Sequence, residues 1–370
     1  MYRNTCKKMK IAIFHNFLDN IGGAEIVTLT LARELNADIY TTSISKEKIR
    51  KMGFSGILPR IKSIGKVPTN APFRQQLTLS KFRNLNLKDK YDFFIIAGDW
   101  AVSAAVNNKP NLWYVHSPCR ELYDLYNYTR KHIVPLYLKL VFDMWVFYNK
   151  KLIEKYVRNV DDIICNSENT RKRIEKYLKK EAKVINPPIE TSKLHYNKNG
   201  NFWLSVNRLI SHKRVDMQIE AFKKLPNEKL IIVGSYEKSR HFRQYAKHIL
   251  ETKPENVKIL SWISQKELAD LYANCKAFLT TSKDEDFGMN VVEAMASGKP
   301  VIAPNEGGYK ETIINNKTGR LINNINPEKL AKAIKEINKN SEKYKKACIK
   351  QAEKFDVKIF IRKIKEEIEG

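Results

Sequence analysis

The sequence predicts an α/β protein of two domains, each a parallel sheet with helices on both faces. Three observations predict it. The chain has 370 residues, long for one compact core and comfortable for two. Short apolar runs alternate with helical patterns in both halves, the rhythm of βαβ units. Finally, Asn186-Pro187-Pro188-Ile189-Glu190 breaks that rhythm once, near the middle. Two adjacent prolines cannot continue a helix or a central strand, and a polar stretch to Asn201 follows.

The elements follow in order. Ile11–Phe14 reads as a buried strand and Gly22-Gly23 as a turn. Residues 24–35 have helical spacing, with Ile26, Leu29, Thr30 and Arg33 in register. Further strands are expected at residues 39–41, 93–97, 112–115 and 163–165, then at 202–206, 230–234, 257–260, 277–280 and 301–303. Ser264 with Glu267 three residues on forms a capping box that opens a helix. The longest apolar stretch, residues 133–148, is interrupted by Pro135, Lys139 and Asp143. It is too short to span a bilayer and reads as a buried helix. The apolar run at Ile11–Phe14 is also too short for a signal peptide, since His15, Asn16 and Asp19 end it. No internal repeat or low-complexity tract occurs.

The most informative segment is residues 285–303. Glu285 and Glu293 stand eight residues apart. The first lies in a loop closed by Gly288. The second lies on a helix expected over 290–296, with Gly298 as its C′ stop. Carboxylates accept hydrogen bonds from sugar hydroxyls, and the free N–H groups at a helix start hold an anion. This chemistry suits a sugar phosphate. Asp284 and Asp286 also spell a DxD, but that tripeptide is frequent by chance, and no other acidic or histidine cluster has metal-ligand spacing.

Glu285, Phe287, Gly288, Glu293, Ala294, Gly298, Pro300 and Val301 together match the E-x7-E segment of retaining family 4 glycosyltransferases, which the chain resembles over most of its length. The resemblance implies the GT-B fold: two Rossmann-like, doubly wound domains facing a cleft, with ligands at the carboxyl ends of the strands. Residues 1–188 would form the acceptor-side domain, completed by a returning helix over 355–370, and residues 189–354 the donor domain. In the family an Arg and a Lys clamp the donor diphosphate. Arg208 and Lys213, in Asn-Arg-Leu-x3-Lys, match them, although Asn207 stands where the family has Gly. Two fixed cations would stabilise the charge on a departing nucleoside diphosphate without a metal or other cofactor. By the same resemblance Gly22 and Gly23 would meet the diphosphate, and Glu285 would meet the transferred sugar. Phe287, Gly288, Met289 and Asn290 would offer backbone N–H groups, Glu293 would take the ribose, and Trp262 with Ile263 would hold the base. The His116-Ser117-Pro118-Cys119-Arg120 segment continuing to Asp124 resembles a subgroup rich in mannosyltransferases of polysaccharide assembly. There His116 would touch the donor sugar, and Arg120 and Asp124 would shape the acceptor side. Residues 165–174 match the same subgroup. Gly307, Gly308 and Glu311 read as a turn and its helix.

The expected reaction is transfer of a sugar, mannose by subgroup, from a GDP- or UDP-sugar to a glycan or lipid-linked acceptor. Five scattered cysteines without a CxxC pair favour a reducing cytosol over a disulfide framework or a zinc site. A formal net charge of +27 suits anionic partners. Between Lys48 and Lys88 ten basic residues occur with no acid, and Met52, Phe54, Ile57, Leu58, Ile61, Ile64 and Phe73 are interleaved. This run is expected either to be solvated surface or to touch an anionic membrane from the cytoplasmic side. The rival readings are a nucleotide-sugar 2-epimerase of the same fold and a basic nucleic-acid-binding protein. No nucleic-acid motif accompanies the charge, and the paired acids with Arg208 and Lys213 fit transfer better than isomerisation.

Overall fold

The computed structural model describes residues 9–69, 73–235, 240–261 and 263–370. Two compact units result. One comprises residues up to Asn166 with Thr170–Ile185 and Ile361–Gly370. The other comprises Ser167–Asn169 and Asn186–Phe360.

The first unit is built on seven strands: β1 (Ile11–Phe14), β2 (Asp38–Thr41), β3 (Ile61–Ser63), β4 (Phe93–Ile96), β5 (Asn111–Val115), β6 (Asp162–Cys165) and β7 (Lys183–Val184). They run parallel in the order β3-β2-β1-β4-β5-β6-β7. Every residue of β1, β4 and β5 is buried, as a sheet covered on both faces requires. Phe14 stacks on Phe94 at 5.6 Å, and Trp113 is almost wholly enclosed. Each such side chain contributes about 1.5–3 kcal/mol by leaving water.

The second unit carries β8 (Phe202–Arg208), β9 (Lys229–Ser235), β10 (Val257–Leu260), β11 (Ala277–Leu279), β12 (Val301–Pro304) and β13 (Gly319–Ile322), parallel in the order β10-β9-β8-β11-β12-β13. In both sheets the order reverses beside the first strand, and ligands of open α/β sheets bind at the carboxyl ends there. The capping box forms as expected, with Glu267 N–H donating to Ser264 Oγ at 3.2 Å and Ser264 N–H donating to Glu267 at 2.8 Å. Pro187 and Pro188 lie just past the change of unit at residue 186.

One sequence expectation changes. The 133–148 stretch is not a buried helix. Leu136, Tyr137, Leu140, Val141, Met144, Phe147 and Tyr148 all stand exposed. The apolar residues of the basic run are different again. Met52, Phe54 and Ile57 are buried in the first unit. Several of its cations are already engaged: Lys62 pairs with Asp38 at 2.6 Å, Lys51 with Glu47 at 2.6 Å, and Arg74 with Asp19. None of the four cysteines among the described residues is in a disulfide, and burial raises the pKa of each of Cys119, Cys275 and Cys348.

Candidate functional site

In the second unit the site begins where β8 ends. The strand runs two residues beyond the expected limit, so Arg208 is its last residue and is exposed. The turn Ser211–Lys213 follows, then Arg214 at φ 50°, and then the Val215–Lys223 helix. A non-glycine residue held in that left-handed region costs about 1–3 kcal/mol. The Arg214 side chain offsets the strain: its guanidinium donates to Thr281 O at 2.6 Å and to Ser282 O at 3.3 Å, and pairs with Glu306 at 3.1 Å. Thr281 Oγ1 also bonds Lys213 O at 2.8 Å and Arg214 O at 2.9 Å. These contacts lock the 211–214 turn against the loop that carries Glu285. The Lys213 ammonium therefore meets the Glu285 carboxylate at 2.5 Å, both side chains being largely shielded.

The Glu285 loop is held mainly through its backbone. Gly308 N–H donates to Glu285 O at 2.8 Å. A Cβ at Gly308 would stand 2.5 Å from Asp286 O, and one at Gly307 would collide with Glu285 O, so only glycine lets the two turns approach this closely. A short segment also clasps the loop. Ser167 Oγ donates to Asp286 O at 2.6 Å, and Asn169 Nδ2 donates to Glu285 O at 3.1 Å and to Asp284 Oδ1 at 3.2 Å. Glu311 in turn accepts from the N–H groups of Glu168 and Asn169 at 2.8 and 3.0 Å. Sequence reasoning assigned Glu311, Gly307 and Gly308 to a turn and its helix. Their added role as supports of this loop could only appear in three dimensions. Among the described residues, no cluster of three or more His, Cys, Asp or Glu side chains is arranged to hold a metal ion.

The Met289–Ala296 helix starts after Gly288, whose φ is 90° and whose Cβ would stand 2.7 Å from the Tyr309 ring. Gly298 at φ 69° lies just past its end, as the C′ position requires. First-turn N–H groups have no acceptor within a helix, so Met289 and Asn290 direct theirs beyond its N-terminus. The Asn290 side chain donates to Val206 O at 2.8 Å, which sets this helix start beside the end of β8 that carries Arg208. Phe287 is buried against Phe355 at 5.3 Å, leaving its backbone for the site. Ile263 packs at the margin of the core, and Trp262 lies outside the described residues.

Glu293 is half-buried and accepts from Tyr272 Oη at 2.9 Å. Burial raises its pKa. A carboxyl with a raised folded-state pKa is penalised as pH climbs through its unfolded value, and that cost remains at neutral pH. Glu293→Gln removes the penalised charge yet keeps an acceptor for Tyr272. We expect a higher melting temperature at pH 7 for the ligand-free variant. Nucleoside diphosphate binding, by calorimetry, should weaken about tenfold, since a charge-assisted bond contributes roughly 1.5 kcal/mol or more. An unchanged affinity would remove Glu293 from the site.

In the first unit the expected residues also gather at strand ends. Gly22 is the N-cap of the Gly23–Leu35 helix, and the Glu25 carboxylate folds back over it. His116 follows β5, with its ring edge against Tyr114 at 5.2 Å. Its carbonyl accepts from Asn166 Nδ2 at 2.7 Å, while its buried Nε2 has no partner. Burial and then the nearby His15 lower its pKa to about 3, and His15 itself, buried at the end of β1, is lowered to about 4. Both rings are neutral in the physiological range. Arg120 forks onto Asp124 at 2.7 and 2.9 Å. Arg173, which donates to Ser117 Oγ at 3.0 Å, lies 3.8 Å from the same carboxylate. Arg120 and Asp124, expected to shape the acceptor side, thus pair with one another.

Two family descriptions match the chain. Glycosyl transferases group 1 covers residues 188–355, and Glycosyltransferase Family 4 covers residues 21–193. The chain belongs to glycosyltransferase family 4. This family 4 chain is 32% identical over 219 residues to an uncharacterized glycosyltransferase of Methanocaldococcus jannaschii, an alignment covering 57% of the chain and 60% of that protein. It is 29% identical to the alpha-1,3/1,6-mannosyltransferase ALG2 of Candida glabrata, over 83% of the chain and 78% of that protein. Its fold matches HepE of Anabaena, solved with UDP and glucose, at a TM-score of 0.77 and 18% identity, covering 98% of this chain and 100% of HepE. Sucrose-phosphate synthase of Thermosynechococcus elongatus matches at 0.73 and 17% identity, covering 98% of each chain. At such identities these structures speak for the shared GT-B fold alone.

Proposed function

We propose that this glycosyltransferase moves a sugar, mannose being the favoured one, from a GDP- or UDP-sugar to a glycan or lipid-linked acceptor. In this reading transfer retains anomeric configuration, needs no metal, and occurs at the cytoplasmic face of a membrane. The observation that carries it is the Lys213–Glu285 pair, held at 2.5 Å beside a helix N-terminus and the end of β8. As the bond from the anomeric carbon to the β-phosphate oxygen breaks, its electron pair leaves with the phosphate. Arg208, Lys213 and the N–H groups of Met289 and Asn290 stabilise that charge. The acceptor hydroxyl attacks from the same face and gives its proton to the departing phosphate oxygen. Glu285 holds a sugar hydroxyl, and Glu293 takes the ribose. For His116 and the Gly22-Gly23 turn the family resemblance supports contacts to sugar and diphosphate. A neutral imidazole suits hydrogen bonding to a sugar.

The mannosyltransferase activity of the similar ALG2 protein supports the choice of sugar. A thermal-shift panel tests it, because a ligand selective for the folded state raises the melting temperature. GDP- and UDP-sugars are compared in EDTA and in magnesium. A sugar nucleotide that stabilises equally in both supports the reading. A panel with no stabilising member contradicts it.

A further inference from the structure

Of the thirteen large apolar side chains that stand exposed among the described residues, eight lie between 136 and 148. Leu136 and Tyr137 are each 82% exposed, Leu140 71% and Phe147 67%. They belong to the turn Leu136–Leu138 and the first half of the Lys139–Val157 helix. At 100° per residue, Leu140, Val141, Met144, Phe147 and Tyr148 occupy one arc of that helix. Val146 and Ile153, on the opposite arc, are buried in the first unit's core, and Asn149 beside them is also buried. The helix is therefore apolar on two faces, and the fold uses only one. Asn149 also receives a hydrogen bond from Gln76 at 2.6 Å. Gln76 shares a face of the Phe73–Arg83 helix with Phe73 and Leu77, both exposed, so the apolar surface continues there.

The charges around this surface are mostly basic. From Leu125 to Ile153 the sequence contains a single acid, Asp143, and it is bound by Arg130 at 2.8 Å and by Tyr126 Oη at 2.6 Å. Lys131 and His132 stand exposed just before the stretch, and Lys151 continues its outward arc one turn on, where it also meets the exposed Glu154 at 3.3 Å.

We propose that the exposed face of residues 136–148 docks in the plane of an anionic membrane surface, its apolar side chains among the acyl chains and Lys131 and Lys151 at the headgroups. Patches this large and apolar mark interaction sites, and an apolar arc edged by cations is the pattern of interfacial helices. Charge decides between a bilayer and a second copy of the chain. A two-fold interface would bring the same cations toward their own copies, whereas anionic lipid complements them. No described helix is long and apolar enough to cross a membrane. This surface lies outside the basic 48–88 run and does not depend on the proposed transfer reaction.

Co-sedimentation tests it, using the full chain without sugar nucleotide. Vesicles of phosphatidylglycerol with phosphatidylcholine are compared with phosphatidylcholine alone. The wild type should bind the anionic vesicles, and salt should weaken that binding. A triple variant, Leu140→Ser with Met144→Ser and Phe147→Ser, should bind at least tenfold more weakly at an unchanged melting temperature. Lys131→Glu with Lys151→Glu should bind more weakly only where the lipid is anionic. The proposal is overturned if the triple serine variant binds as the wild type does. It is equally overturned if the wild type ignores anionic vesicles, or if it forms a dimer that the serine variant splits while neither binds lipid.

Discussion

Glu285→Ala should lower turnover by about a hundredfold or more while the protein stays folded. A contact to a sugar hydroxyl that tightens in the transition state contributes roughly 3 kcal/mol, and its loss falls on kcat rather than KM. The fold should tolerate the change because the loop is held by its backbone. Gly308 N–H and Asn169 Nδ2 both bond the Glu285 carbonyl, which alanine retains. Steady-state kinetics with a melting curve separates the two effects. Near-normal turnover would remove Glu285 from the reaction. A collapsed melting temperature would make it a structural residue instead.

Arg208→Ala and Lys213→Ala should each lower turnover by about a hundredfold and weaken nucleoside diphosphate binding, as expected for losing one cation at the departing phosphate. The structure adds a coupling. Lys213 and Glu285 touch at 2.5 Å, so their truncations cannot be independent. Removing Lys213 frees Glu285 to repel the diphosphate. The Lys213→Ala, Glu285→Ala double variant should therefore bind nucleoside diphosphate more tightly than Lys213→Ala alone, although it stays inactive. Calorimetry measures this directly. Additive losses in binding would show that the pair does not act on the phosphate together.

The βαβ rhythm, the E-x7-E helix with Gly288 and Gly298 at its ends, and the Ser264 capping box were legible because each is a local pattern with a local physical cause. β3, β7 and β13 escaped notice for the same reason. Their two to four residues are too few and too polar to show a period. Arg208 ends β8 rather than following it, since pairing with β9 extends the strand past its apolar run. Hydropathy could not tell which face of residues 133–148 turns outward, because the inward and outward arcs carry similar side chains. Nor could it show that Ser167, Asn169, Arg214, Gly307 and Glu311 all help to brace one loop, since they lie up to 143 residues from the groups they hold.

The central claim is metal-free transfer with retention, and the anomeric configuration of the first product formed in EDTA tests it most directly. The donor that stabilises the protein is incubated with an accepting glycan or lipid-linked glycan, and the new linkage is read by proton NMR at early times. The account expects the α configuration of an α-linked donor to persist, at a rate unchanged by chelator. An inverted product would contradict same-face departure and attack. Activity abolished by EDTA and restored by magnesium or manganese would contradict the clamp of Arg208 and Lys213 and return Asp284 and Asp286 to consideration as metal ligands.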